Sequence, residues 1–135
     1  MTDFFELRHK VVPDEIDGLG HVNTLVYLGW FMDAAAGHCA ARGMSGELMS
    51  DVGEGWVVRR HEIDDLAQVR PADLVIIRTW IETAEKASSI RRYEIRNAAD
   101  GKLVCQGLTL WVWINYRTGR PARIPDKVYA AYGLI

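Results

Sequence analysis

Apolar and polar positions alternate along most of this chain, and the breaks in that alternation mark its elements. Phe5 to Val12 alternates and predicts a first strand, which Pro13 ends by removing a ladder donor. Asp14 to Val22 is irregular, with Asp17-Gly18 and Gly20 as turn formers. From Asn23 to about Arg42 alternation gives way to near-continuous apolarity: Leu25, Val26, Leu28, Trp30, Phe31, Met32, Ala34, Ala35 and Ala36. A run of that length predicts a buried helix rather than a strand. Asn23 can cap its start, and Gly43 can take the left-handed position past its end. Such a helix is a rod of about 30 Å. Gly29, Ala36, Gly37 and Ala40 offer it small surfaces for close approach to a sheet.

Four further strands are predicted, at Gly55 to Ile63, Leu74 to Thr83, Ser88 to Asn97 and Leu103 to Asn115. Ala99-Asp100-Gly101 marks a hairpin, and Arg117 to Pro121 the exit from the last strand. That strand is apolar on both faces: Val104, Leu108, Leu110 and Val112 on one, Cys105, Trp111 and Trp113 on the other. One face is expected to meet the helix and the other a further surface, such as a second subunit. A short helix after Pro125 is expected to close the chain. The result is an α+β layout, one curved antiparallel sheet around one central helix.

Composition narrows the function classes. The 135 residues fit a single domain, 1–135, and 49% hydrophobic with 25% charged residues is ordinary for a folded chain. A net charge of −2 supplies no field for nucleic acid or anionic lipid, so neither is expected as a partner. No apolar run approaches the roughly 20 residues needed to span a bilayer, and the N-terminus lacks a signal-peptide core. The expected setting is cytoplasmic. Cys39 and Cys105 are too few for a disulfide framework. His9, His21, His38 and His61 lack short ligand spacing, so no metal site and no cofactor is expected.

The candidate chemistry lies between the first strand and the helix, in Asp17-Gly18-Leu19-Gly20-His21-Val22-Asn23, followed by Tyr27. The first turn of a helix leaves amide N–H groups without intrahelical partners, and the macrodipole adds positive charge there. Amides around Thr24 can therefore hold a carbonyl oxygen that develops negative charge. An aspartate within reach can attack the same carbonyl or activate water. A thiol of pKa about 8.5 leaves as thiolate with little need of a proton donor, so a site with a carboxylate and bare amides suffices for thioesters. His21 is available as an acid. Spacing alone reads more economically as a turn closed by an Asx hydrogen bond and a helix capped by Asn23.

Asp17-x-x-Gly20-His21-Val22-Asn23, then Tyr27-Leu28-x-Trp30 and Asp33-Ala34, resembles the signature of hotdog-fold thioesterases of the 4-hydroxybenzoyl-CoA thioesterase class. Its branch includes bacterial acyl-CoA thioester hydrolases and plant acyl-carrier-protein thioesterases. Arg70-Pro71-Ala72-Asp73 and the tail Thr118-Gly119-Arg120-Pro121, Ile124-Pro125 extend the resemblance along nearly the whole chain. It implies a hotdog fold and an acyl-CoA thioesterase, with Asp17 as catalytic carboxylate and the Thr24 amide polarising the thioester carbonyl. It also implies a site between subunits, hence a homodimer or homotetramer. His21 and Asn23 match the motif. The plant enzymes carry asparagine where Leu19 stands, and use an acidic residue on a later strand whose candidates here are Glu62, Asp64 and Asp65.

Asn23, Tyr27, Arg59 and Arg91 complete the candidates for substrate binding. Arg59-Arg60 and Arg91-Arg92 each place one arginine of a strand pair outward, where a guanidinium suits coenzyme A phosphate or simply solvates the sheet. The five tryptophans can line an acyl pocket, though core or subunit packing is the commoner use. A non-catalytic acyl-thioester binding protein built on the same fold is the alternative function. A hotdog dehydratase would need a catalytic histidine in the central helix, and His38 sits late in it.

Overall fold

Helix α1, Thr24–Ala41, lies across an antiparallel sheet whose strands wrap it from one side. The computed structural model describes residues 3–134. Strands β1 (Phe4–Lys10), β2 (Glu54–Asp65), β3 (Leu74–Glu85), β4 (Ser88–Asn97) and β5 (Leu103–Asn115) pair in the order β1-β3-β4-β5-β2. Both β1 and β2 are therefore edges. Two short helices, α2 (Gly46–Val52) and α3 (Asp126–Ala131), complete the elements, with a 3-10 turn at Pro13–Glu15.

The predicted α+β hotdog layout is the observed one, and β4 and β5 have the predicted ends. Strand β1 stops two residues early, although the Val11 N–H still donates to the Asp73 carbonyl at 2.9 Å. Strands β2 and β3 each run two residues further than expected, to Asp65 and Glu85. Helix α2 occupies a stretch where the pattern predicts no element.

Burial of α1 builds the core. Tyr27, Trp30, Phe31, Ala34, Ala35 and His38 are all buried. Phe31 stacks on Tyr93 of β4 with centroids 4.4 Å apart and planes within 5°. Among the small residues of α1, Gly37 is the one that closes an approach: an added methyl would come within 2.7 Å of the Phe5 ring of β1. Gly29 faces open space. In β5, Val104 and Val112 are buried within this chain, while Leu108 and Leu110 are half-buried.

Glu15 fixes the chain between β1 and α1. Its carboxylate accepts from His9 Nε2 at 2.7 Å, from the Val12 N–H at 2.9 Å and from Trp30 Nε1 at 2.9 Å. One side chain thus joins the end of β1, the 3-10 turn and the second turn of α1, and holds the following loop against the helix. Burial opposes ionisation, but the bonds from His9, Val12 and Trp30 outweigh it and hold the Glu15 carboxyl below its ordinary value of 4.5. A group with a lowered folded pKa stabilises the fold above its unfolded pKa and loses that contribution as pH falls through the folded value. We predict that Glu15→Gln lowers unfolding free energy by about 1–3 kcal/mol at neutral pH. In denaturant titrations at a series of pH values, the difference from wild type should shrink steadily below about pH 4.5. A difference independent of pH would show that the carboxylate charge contributes nothing.

Candidate active site

The loop that carries Asp17 is closed at its base. Ile16 and Val22 form an isolated antiparallel bridge, and the Asp17 N–H donates to the His21 carbonyl at 2.8 Å. Gly20, at φ +83°, adopts the left-handed conformation that favours glycine, and its N–H donates to the Asp17 carbonyl at 3.1 Å. Within this turn Asp17 Oδ1 accepts from the N–H of Leu19 at 2.9 Å and of His21 at 3.1 Å. The Asx turn expected from spacing is therefore present, and it orients the carboxylate. No hydrogen bond to Oδ2 is seen among the described residues. The His21 and Leu19 amides hold the Asp17 carboxyl below its ordinary value, so the group is ionised at neutral pH.

Two residues past the loop, α1 opens. Asn23, at φ −65° and ψ 143°, caps it: Oδ1 accepts from the Leu25 N–H at 2.8 Å. The Asn23 carbonyl takes the amides of Val26 at 2.9 Å and Tyr27 at 3.3 Å. The Thr24 amide makes no hydrogen bond among the described residues, and it sits at the positive end of an 18-residue helix. Capping leaves one donor uncommitted at the first helical position. Leu19 and Leu25, 84% and 74% exposed, border this opening with apolar surface.

The other candidates divide. His21 lies at the loop, its Nε2 3.1 Å from Gln68 Nε2, so the amide donates and the imidazole accepts there. Asn23 acts as the cap. Tyr27 does not face the opening: it is 1% exposed, edge-on to Trp30 and directed at the Ala67 carbonyl, because the helical period turns it into the core. Arg59 is exposed on the edge strand β2, beside the bulge between Val58 and Arg60. Arg91 does not reach outward to a phosphate: it is 4% exposed on the inner face of β4, and its neighbour Arg92 points out and pairs with Glu82 at 2.9 Å. His38 is enclosed, held by Arg91 and Asp3, far along α1 from the loop.

The structure also separates the three later-strand acids. Glu62 pairs with Arg60 on the exposed surface at 2.9 Å, and Asp64 accepts from Gln106 at 3.5 Å. Burial raises the Asp65 carboxyl pKa, and the charge of His21 opposes the rise. Its placement follows from period-2 alternation: Ile63 packs against the core, and Asp65 shares its face.

Comparisons with known proteins agree with this architecture. The chloroplastic palmitoyl-acyl carrier protein thioesterase of Gossypium hirsutum is 25% identical over 118 residues, covering 83% of this chain. The chain spans 28% of the length of that relative. Among solved structures, a 1,4-dihydroxy-2-naphthoyl-CoA thioesterase from Synechocystis superposes with a TM-score of 0.89 at 21% identity, over 96% of both chains. A 12:0-ACP thioesterase from Umbellularia californica gives 0.84 at 24% identity, over 96% of this chain and 49% of that one. A Staphylococcus aureus protein solved in complex with CoA gives 0.90 at 16% identity, over 98% of this chain and 84% of that one. These likenesses establish the hotdog fold. Residues 2–132 match the acyl-ACP thioesterase N-terminal domain, and the chain belongs to that family.

Proposed function

We propose that this chain hydrolyses acyl thioesters, with acyl-CoA as substrate, to a free acid and a thiol. The reading is supported by an ionised, turn-oriented Asp17 carboxylate in the short loop that leads into the uncommitted Thr24 amide at the opening of α1. Asp17 Oδ2 takes a proton from a water that attacks the thioester carbon, or attacks that carbon itself to give a mixed anhydride that water then cleaves to the free acid. The Thr24 N–H and the helix dipole hold the carbonyl oxygen as it gains negative charge. The thiolate then leaves, its low basicity making a dedicated acid dispensable. His21 in the loop and Asp65 at the end of β2 are groups able to hold or move a proton. Exposed Arg59 is the contact for coenzyme A phosphate.

The same reading takes two copies. Strand β2, 12 residues long, is a sheet edge, and Val57 and Val58 on it are 37% and 41% exposed. A long unpaired edge strand with exposed apolar residues invites strand pairing. A second copy paired edge to edge through β2 would continue the sheet and cover this side of the molecule.

Thiol release from a panel of acyl-CoA and acyl-carrier-protein thioesters tests the activity. Asp17→Asn should lower kcat about 100-fold or more on the best substrate. Undiminished turnover would remove Asp17 from the mechanism, and tight binding without turnover would make this a binding protein.

Thr24→Pro is a sharper probe. Proline is tolerated at the first helical position, and ψ 143° at Asn23 suits a following proline. The substitution deletes the one N–H and should cost about 10²–10³ in kcat with the thermal transition retained. An unchanged kcat would exclude this amide as the oxyanion donor.

Light scattering should give at least twice the chain mass for wild type, and Val58→Pro should shift it towards one chain. A monomeric wild type at micromolar concentration would overturn the pairing.

A further inference from the structure

Between α1, α2 and the inner face of the sheet lies a cavity of about 540 Å³. Its walls are almost wholly apolar, with Met32 and Cys39 from α1, Met49 from α2, and Trp56 and Trp111 from β2 and β5. The volume lies within the range of small-molecule sites. Leu25, Leu28, Met32 and Cys39 recur at helical spacing, so one apolar strip of α1 runs from the opening at Thr24 into the cavity. Met32 stands eight residues past Thr24, roughly 12 Å along the axis. Leu25 and Leu28 lie on α1 between the loop and this space, so an acyl chain whose thioester sits at the loop would run along them to reach it.

The cavity has one cationic wall group, Arg91 of β4. Its side chain is buried; Nη1 donates to His38 Nδ1 at 2.9 Å and Thr79 Oγ1 at 3.0 Å, and the Tyr132 side chain also hydrogen-bonds it. His38 Nδ1 therefore accepts, and the ring donates from Nε2 to Asp3 Oδ2 at 2.9 Å. Asp3 is in turn gripped by Arg42, at 3.0 and 2.6 Å. Two guanidinium groups thus share one carboxylate, and the carboxylate lies an imidazole away from the buried one. Among the described residues no carboxylate lies within ion-pair distance of Arg91. The Tyr132 ring, 5.8 Å from its Cζ, supplies only a partial counterweight. A guanidinium has five N–H donors in a planar fork suited to a carboxylate, and a buried one without an anion is costly.

We propose that this cavity takes the far end of an acyl chain that ends in a carboxylate, and that Arg91 binds that carboxylate. The preferred substrates are then ω-carboxyacyl thioesters rather than methyl-ended ones of the same length. The inference rests on the hydrolase reading and deepens it: Asp17 and Thr24 handle the thioester end, and Arg91 reads the other. A purely aliphatic tail would bury apolar carbon against an uncompensated charge, whereas a terminal carboxylate completes the ion pair.

Arg91 is held at His38, 14 residues past Thr24 and about 21 Å along the axis, so two pairs of long probes test this, dodecanedioyl-CoA against lauroyl-CoA and hexadecanedioyl-CoA against palmitoyl-CoA. In at least one pair wild type should favour the carboxylate-ended member by about tenfold or more in kcat/KM. Arg91→Met should erase or invert that preference while hydrolysis of the methyl-ended member persists, and Arg91→Lys should keep part of it. Equal or better hydrolysis of both methyl-ended substrates by wild type would overturn the inference and leave the hydrolase reading intact. If neither Arg91 variant folds, the wild-type comparison decides alone. If wild type releases thiol from none of the four, the wider panel of acyl-CoA and acyl-carrier-protein thioesters decides the hydrolase reading. Non-hydrolysable thioether analogues of the same pairs then decide for the cavity: tighter binding of the carboxylate-ended analogue supports it, and equal binding refutes it.

Discussion

The burial of α1 is the constraint on which the rest of the structure depends. The helix buries the face that carries Tyr27, Trp30, Phe31, Ala34, Ala35 and His38, and leaves Leu25, Gly29, Asp33, Ala36 and Ala40 exposed on the other. The sheet answers by curving round it, with Phe31 stacked flat on Tyr93 at its centre. Gly107 of β5 shows how close the layers come. A methyl there would strike the Glu62 carbonyl oxygen and come within 2.8 Å of the Phe31 ring. Once the helix is seated, its opening is fixed in space, and so is the loop that Glu15 ties to it through Trp30.

Capping at the opening of α1 is incomplete. Asn23 satisfies the Leu25 amide and its own carbonyl takes the next two, so the Thr24 donor is the one left over. The loop before it spends one oxygen of Asp17 on its own closure and leaves the other. The turn-and-cap reading of these residues and the catalytic one are thus not rivals. The hydrogen bonds that make the loop a well-formed turn engage Asp17 Oδ1 and the Leu25 amide, and the proposed chemistry uses the groups they leave, Oδ2 and the Thr24 N–H.

Charge inside the molecule is arranged in two chains. Near the loop, Glu15 gathers His9, Trp30 and a backbone amide at the β1 end of α1. Deeper in, Asp3, His38 and Arg91 run in series from the N-terminal segment through α1 to β4, with Arg42 and Thr79 at the sides. Their balance differs. Glu15 is a carboxylate surrounded by donors, whereas Arg91 is a cation whose contacts are neutral. That asymmetry separates a structural clamp from a wall group able to accept an anion.

The amino-acid sequence by itself determined the strands, the long helix with its cap, and the loop motif, because each rests on local patterning: period-2 alternation, near-continuous apolarity, or turn residues at adjacent positions. The strand predicted to end at Ile63 stopped short of Asp65, and nothing local distinguished that residue from Glu62 and Asp64. Helix α2 escaped because a seven-residue helix resting on its neighbours carries little periodic signal of its own. Only the tertiary structure decided that Tyr27 belongs to the core and that Arg91, not Arg92, turns inward. An arginine beside an arginine gives no preference for either face. The inward one is tolerated because Thr79 and His38, from two other elements, meet it there, and contacts between residues distant along the chain leave no trace in local pattern.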